Sequence, residues 1–297
     1  EHVFLISDEG LAKLGVVKKV QDIVEADGLK CTTYLGVVPN PTVDVVNEST
    51  KCYKESGATS IIALGGGSSM DVAKATGVLA TYGGKITDYE GLYKVPGPIV
   101  PIIAIPTTAG TGSEVTASAV VTDEERNYKM SVISYEMLPK YAVLDPQLIM
   151  TAPASIAASC GVDALIHALE AYVSNFASPF TDAMAEKAME LIGANIRRFV
   201  ANRQDEEAAC AMMTGSTFAG MAFAWAKLGN VHAMSHPVSA YFHVPHGVAN
   251  AVLLPTVIEY NALSDHGRYE KIYNFIREKK EPAKDFKPQM LIDEIKK

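Results

Sequence analysis

Apolar residues in the first half of the chain fall in short β-branched runs separated by stretches of helical spacing, an alternation that predicts a parallel sheet covered by helices. Val3 to Ser7 reads as a strand, Gly10 to Ala26 as a helix and Lys30 to Tyr34 as a second strand. Asn40-Pro41 reads as a helix start, with the asparagine capping and the proline in the first turn, and the helix closes near Gly57. Ser60 to Leu64, Ile102 to Ile105 and Tyr141 to Leu144 read as further strands. After residue 150 the pattern changes: Ala-, Met- and Leu-rich segments with helical spacing take over and β-branched runs become rare. Two domains are therefore expected, an α/β domain over 1–150 and an all-α domain over 151–297. Helices are expected at Thr181 to Val200, Glu206 to Ala226 and Ile272 to Lys279, with Met184, Met189, Met212, Met213 and Met221 as core filling.

A chain of 297 residues, 48% hydrophobic and 20% charged, can bury a core of that size. Its formal net charge of −8 argues against general binding to nucleic acid or an anionic membrane. No run approaches the about eighteen consecutive apolar residues of a spanning helix, and the start lacks a signal-peptide layout. A soluble cytoplasmic protein is expected. Cys31, Cys52, Cys160 and Cys210 form no Cys-x-x-Cys pair and are expected to be buried thiols.

The candidate chemistry lies in the second half. Asp163 and His167 stand four apart in a strongly helical run, so both point from one face about a turn apart. His232 and His246 flank a proline- and glycine-containing stretch that can bring the later imidazole back, giving one oxygen and three nitrogen donors for one divalent ion. Helical Asp/His pairs also occur as capping or surface pairs. Three of the seven histidines, His232, His236 and His246, lie close together among apolar residues, an expensive place for imidazoles unless something coordinates them. His243 reads as a bystander. No Glu follows His232, so the His-Glu-x-x-His hydrolase pattern is not met.

Two loops suit a nucleotide. Ser60 to Leu64 runs into Gly65-Gly66-Gly67-Ser68-Ser69, a strand, a glycine loop and a helix start, where backbone N–H groups and the helix dipole can receive a pyrophosphate. The Gly-x-Gly-x-x-Gly fingerprint is not met, because Met70 takes the third glycine's place, and the Walker lysine is missing too. Pro106-Thr107-Thr108-Ala109-Gly110-Thr111-Gly112-Ser113-Glu114 again leaves a buried strand, with hydroxyls suited to a ribose or phosphate rim. Taken as structure alone, both are ordinary turns.

These segments, together with Gly161-Val162-Asp163-Ala164-Leu165-Ile166-His167-Ala168-Leu169-Glu170 and Pro245-His246-Gly247-Val248-Ala249-Asn250, closely resemble the iron-containing (group III) alcohol dehydrogenases, in particular the propanediol oxidoreductase, propanediol dehydrogenase and butanol dehydrogenase branch. The resemblance implies an N-terminal dinucleotide-binding α/β domain and an all-helical metal-binding domain of dehydroquinate synthase-like fold, with a cleft holding nicotinamide next to the metal. By position it makes Asp163, His167, His232 and His246 the metal ligands, and it gives His236 a place near nicotinamide and substrate. Gly66, Gly67 and Ser68 would hold the pyrophosphate, with Thr107, Thr108, Thr111 and Lys129 along the rest of the dinucleotide and Asn40 on the adenosine side. Asp8 matches an acidic residue that meets the adenosine ribose, where a carboxylate accepts from both hydroxyls and repels a 2′-phosphate, so NAD is favoured over NADP. Asp8 can equally cap the helix near Gly10.

The activity implied is reversible hydride transfer between a small primary alcohol or diol and NAD, with His236 on the proton route. The ligand set admits Fe(II), Zn(II), Co(II), Ni(II) or Mn(II); the resemblance favours iron, with zinc a competitor. Rival readings are a zinc-dependent glycerol dehydrogenase-like enzyme, a metallohydrolase, and an ion that only pins helices together. The resemblance also implies a homo-oligomer. Relative to the family pattern, the chain starts at the first strand and stops at Lys297 before several further helices, so a shortened C-terminal domain is expected. Trp225, Phe223 and Tyr241 could line an apolar pocket, with core packing expected for at least two of them.

Overall fold

The computed structural model describes residues 2–242, 244–277 and 285–297. His243 and Lys279, the far end of one expected helix, lie outside the described residues. The chain divides into two units, Glu1–Thr107 with Ser113–Leu144, and Thr108–Gly112 with Asp145–Lys297.

The first unit holds the strands β1 (His2–Ile6), β2 (Lys30–Tyr34), β3 (Ser60–Gly65), β4 (Gly91–Leu92), β5 (Ile102–Pro106), β6 (Ser118–Asp123), β7 (Tyr128–Ile133) and β8 (Tyr141–Ala142). A five-stranded parallel sheet runs in the order β2-β1-β3-β5-β8, with Val3 beside Ser60 and Ile61 beside Ile102. Consecutive residues of β1 and β3 are buried (Phe4, Leu5, Ile6; Ile61, Ile62, Ala63, Leu64), as expected of strands covered on both faces. The helix expected from Gly10 to Ala26 is two, α1 (Glu9–Lys13) and α2 (Val16–Ala26). Between them Gly15 takes the left-handed region at φ 76°, which a continuing helix does not allow.

The helix expected at Asn40-Pro41 is α3 (Val43–Ser56). Its cap is Thr42, whose hydroxyl accepts from Val45 N at 3.4 Å, whereas Asn40 sits at φ 54° before the helix. Gly57 closes α3 in the left-handed region. A second sheet, in the order β4-β7-β6, was not anticipated; β6 and β7 pair antiparallel with Val121 opposite Met130. The helix α4 (Gly67–Tyr82) follows β3 and, apart from the half-buried Asp71, is buried from Ser69 to Leu79. It includes Lys74, fully buried, whose Nζ donates to the Ser113 carbonyl (2.7 Å), Ser113 Oγ (3.0 Å), Thr116 Oγ1 (3.3 Å) and the Ser118 carbonyl (2.9 Å). Burial holds this ammonium well below its ordinary pKa.

The second unit is helical: α5 (Pro146–Ile149), α6 (Ala154–Tyr172), α7 (Pro179–Ala201), α8 (Glu206–Ala226), α9 (Asn230–Phe242), α10 (His246–Asn261), α11 (Arg268–Ile276) and α12 (Pro288–Ile295). Ser178 caps α7 through a capping box with Thr181, and the Asp205 carboxylate caps α8 by accepting from Ala208 N. Buried alanines at 164, 168, 185, 188, 208, 219 and 222 let α6, α7 and α8 approach closely around Leu169, Met189, Ile192 and Met212. By length and composition α6 could cross a membrane, yet it is a core helix here, with its C-terminal two-thirds buried. Contrary to the expectation of buried thiols, Cys210 is exposed on α8 and Cys31, Cys52 and Cys160 are only half-buried; the described cysteines are all free. Trp225 and Tyr241 are exposed as well, at 56% and 65%, so neither is a core residue.

Candidate metal centre and nucleotide loops

Asp163 and His167 lie one turn apart in α6, a helix already immobilised by its packing on α7 and α8, so their side chains leave it in fixed directions. His232 comes from the first turn of α9 and His246 from the first residue of α10. Asp163, His167 and His232 are 4%, 5% and 3% exposed. The Nε2 atoms of His232, His246 and His167 lie 3.5, 3.8 and 3.9 Å from one carboxylate oxygen, Asp163 Oδ1. Donors held about 2.1 Å from a single tetrahedral ion stand roughly 3.4 Å apart; Asp163, His167 and His232 each offer an atom within 4.8 Å of the other two, and His246 Nε2 reaches the same Asp163 oxygen, so the set encloses ion-sized space.

The electrostatics agree with that reading. Burial pushes the Asp163 carboxyl up, but the His167, His232 and His246 imidazoles outweigh it and hold the group below the ordinary carboxylate range. Burial drives His167 down to about 4 and His246 down to about 3, which leaves their rings neutral and ready to donate a lone pair. For His232, burial opposes charge, yet hydrogen bonds with Asp163 and Glu170 carry it up to about 9. The Asn250 amide offers a further sign. Its Nδ2 donates to Asp163 Oδ1 at 2.6 Å and lies 3.1 and 3.2 Å from the Nε2 atoms of His232 and His246, a partial positive charge at the centre of the donor set. His246 Nδ1 and Asn250 Oδ1 are buried without a hydrogen-bond partner among the described residues. A buried anion ringed by three imidazoles, with orphaned polar atoms beside it, fits a divalent cation.

Neighbouring groups hold these side chains in place. The Nδ1 of His167 donates to the Gly110 carbonyl at 3.2 Å, and its ring stacks on Phe223 at 4.4 Å and on His232 at 4.6 Å. His236 lies one turn beyond His232 on α9, half-buried, with its ring 5.1 Å from that of His246. Glu170 and Asn250 stood in the motifs, but sequence reasoning gave them no role.

In the first unit, Asp8, Asn40, Gly66, Gly67, Ser68 and Thr107 follow neighbouring parallel strands at their carboxyl ends, whereas Lys129 lies within the antiparallel strand β7. Asp8 follows β1 and caps α1, its carboxylate accepting from Leu11 N at 3.0 Å. Gly66, Gly67 and Ser68 are half-buried at the start of α4, which has no side-chain cap, and Gly65 before them adopts φ 149°, where a Cβ would collide with the Ser69 hydroxyl. Thr107 is buried after β5 and its N–H donates to the Gly65 carbonyl at 3.0 Å, so these two loops adjoin. Lys129 Nζ donates to Asn40 Oδ1 at 2.7 Å, joining two further expected residues. Thr108 and Thr111 belong to the segment that packs with the helical unit, and the Thr108 hydroxyl bonds the Cys160 thiol.

A parallel sheet with a glycine loop suited to a nucleotide, followed in the chain by a helical unit with a mixed oxygen and nitrogen donor set suited to a metal ion, is the class of two-unit chain that the fold and site define. The chain belongs to the iron-containing alcohol dehydrogenase family: residues 1–146 match the model "Iron-containing alcohol dehydrogenase", and residues 157–295 match "Fe-containing alcohol dehydrogenase family, C-terminal". It is 44% identical over 262 residues to alcohol dehydrogenase 4 of Schizosaccharomyces pombe, covering 88% of this chain and 62% of that protein. To lactaldehyde reductase of Escherichia coli (strain K12) it is 42% identical over 274 residues, 92% of this chain and 71% of that one. A crystal structure of 1,3-propanediol oxidoreductase superposes with a TM-score of 0.95 at 37% identity, covering 100% of this chain and 78% of that chain. The chain thus spans less than two thirds of the S. pombe relative's length. These matches do not favour the glycerol dehydrogenase-like or metallohydrolase readings.

Proposed function

We propose that the protein is a metal-dependent alcohol dehydrogenase and aldehyde reductase, exchanging hydride between a small primary alcohol or diol and NAD. The observation that carries the reading is the convergence of three Nε2 atoms on Asp163 Oδ1 within 3.5–3.9 Å. Asp163, His167, His232 and His246 would hold one divalent ion, Fe(II) ahead of Zn(II), since the family is described as iron-containing. Bound there, the cation supplies Lewis-acid polarisation of an alcohol or aldehyde oxygen, and NAD supplies the hydride acceptor.

The chain's own residues do the rest. The uncapped N-terminus of α4 offers the backbone N–H groups of Gly66, Gly67 and Ser68 to a pyrophosphate. Asp8 accepts from the ribose hydroxyls, and its charge disfavours a 2′-phosphate. Asn40, Lys129, Thr107, Thr108 and Thr111 line the remainder of the dinucleotide. His236, half-buried beside His246, takes the alcohol proton at a ring nitrogen and passes it to solvent. The substrate class follows the names of relatives that act on lactaldehyde and 1,3-propanediol. The free cysteines suit a reducing compartment, in keeping with a cytoplasmic home.

Absorbance of reduced nicotinamide, followed with 1,2-propanediol, 1,3-propanediol, ethanol and butanol in the presence of added Fe(II) or Zn(II), tests the proposal. NADH formation from at least one of the four is expected. Its absence with all of them overturns the reading.

A further inference from the structure

Glu170 continues the stripe of α6 that carries Asp163 and His167, at a spacing that keeps all three on one helix face. It is 3% exposed, and among the described residues no lysine or arginine pairs with it. A carboxylate so buried is costly unless each oxygen is satisfied. Here Oε2 accepts from His232 Nδ1 at 2.6 Å and Oε1 accepts from Val231 N at 2.7 Å, with a further bond from the Gly229 N–H. Among the described residues its hydrogen-bond partners are thus one imidazole of the metal centre and the backbone at the start of the helix that carries that imidazole.

Two consequences follow from the atoms. A proton held on Nδ1 by an anion leaves the Nε2 lone pair as the free donor, and Nε2 is the atom facing Asp163 Oδ1 at 3.5 Å. The negative charge at the start of α9 also receives that helix's unpaired N–H groups and suits its dipole, seating α9 against α6. The approach depends on Gly229, where a Cβ would meet Glu170 Oε1 at 2.9 Å. The three imidazoles are treated differently: His167 Nδ1 is held by a neutral carbonyl and His246 Nδ1 has no described partner, whereas His232 alone has a carboxylate behind it.

We propose that Glu170 is the positioning residue of the metal centre: its carboxylate fixes the His232 tautomer and the register of α9 on α6, and thereby sets the affinity for the ion. This rests on the metal reading above. In Glu170→Gln the side chain keeps its size, but its amide nitrogen must face either Val231 N–H, donor against donor, or His232 Nδ1, which can accept from it only by moving its proton to Nε2; a bond is lost or the tautomer is reversed.

The test is competition for Zn(II) between the protein and a chromophoric chelator, a readout that requires no turnover. Glu170→Gln is expected to weaken zinc binding roughly 10–100-fold, and Glu170→Asp, which keeps the charge, to recover part of the loss. In the zinc-loaded native protein, the His232 Nδ1 proton should give a slowly exchanging, strongly downfield NMR resonance that Glu170→Gln removes. Should Glu170→Gln fail to fold, Gly229→Ala, which presses on Oε1 while leaving the carboxylate in place, is expected to weaken zinc binding in the same direction. Zinc affinity equal to that of the unsubstituted protein, with only the melting temperature lowered, overturns the proposal and leaves Glu170 a packing residue. Weakened zinc binding in a protein that turns over no alcohol would instead sink the dehydrogenase reading and spare this one.

Discussion

His167 donates its Nδ1–H to the carbonyl oxygen of Gly110, 3.2 Å away and 57 residues earlier in the chain. The loop after β5 was expected to be a nucleotide rim; through Gly110 its middle also orients a member of the donor set. Gly110 is there because nothing larger fits. A Cβ would meet Cys160 Cβ at 2.8 Å and the Cys160 Cα and carbonyl oxygen at 3.0 Å.

Gly110→Ala should therefore cost roughly 1–3 kcal/mol of stability through overpacking and weaken metal binding as the carbonyl withdraws from His167. Thermal melting and chelator competition on the same preparation check both. A stable variant with undiminished metal affinity would show that this contact does not orient the ring.

His246→Ala removes one of the four converging donors, so metal content by elemental analysis should fall close to background. His236→Ala should keep the metal and slow turnover. If His236→Ala instead empties the site, the two roles are wrongly divided.

Asp8→Gly should raise the use of NADP relative to NAD. Loss of the α1 cap costs only a few tenths of a kcal/mol when glycine replaces it, so the comparison of kcat/KM for the two cofactors is made on a folded protein. An unchanged ratio would leave Asp8 as a cap and nothing more.

Lys74→Met exchanges a buried ammonium for an apolar chain of similar length and strands the carbonyls of Ser113 and Ser118 together with two hydroxyls. Removing the charged partner from such a buried network should destabilise the protein by roughly 3 kcal/mol, read by chemical denaturation. A variant as stable as the parent would mean that water replaces the lysine.

The pH dependence has a definite sign. His232 is raised from 6.5 to about 9 by Asp163 and Glu170 against the effect of burial. In the metal-free protein its protonation contributes stability that is complete below pH 6.5 and is lost as pH rises through about 9. A cation competes for the same Nε2, so zinc binding near neutral pH should release about one proton per chain, with apparent affinity rising up to about pH 9. Proton release in weakly buffered titrations measures this; release that does not fade above that pH would assign the proton elsewhere.

The sequence was most readable where a local rule governs. The helix expected from Glu206 to Ala226 is found with those bounds, and Gly57 closes α3 as a left-handed glycine should. Other features depend on partners far along the chain. Glu170 was visible in its motif, but its meaning lies 62 residues away at His232. Lys74, a charge in the middle of an apolar helix, is explained only by acceptors around 40 residues downstream. The β6–β7 hairpin did carry a signal, since alternate residues face inward (Ala119, Val121, Asp123; Met130, Val132). Its turn, with Asn127 at φ 49°, contains neither glycine nor proline and so lacked the usual punctuation. The break at Gly15 was likewise hidden inside an unbroken amphipathic pattern.

Among the four converging side chains, His246 is 28% open to solvent, while the other three are no more than 6% open. His167 is clasped between two rings and His232 is pinned by an anion, so neither can swing aside without disturbing a packed helix. A cation held by these four groups would accordingly have a preferred door, with the contact to His246 expected to open first on departure and to close last on capture.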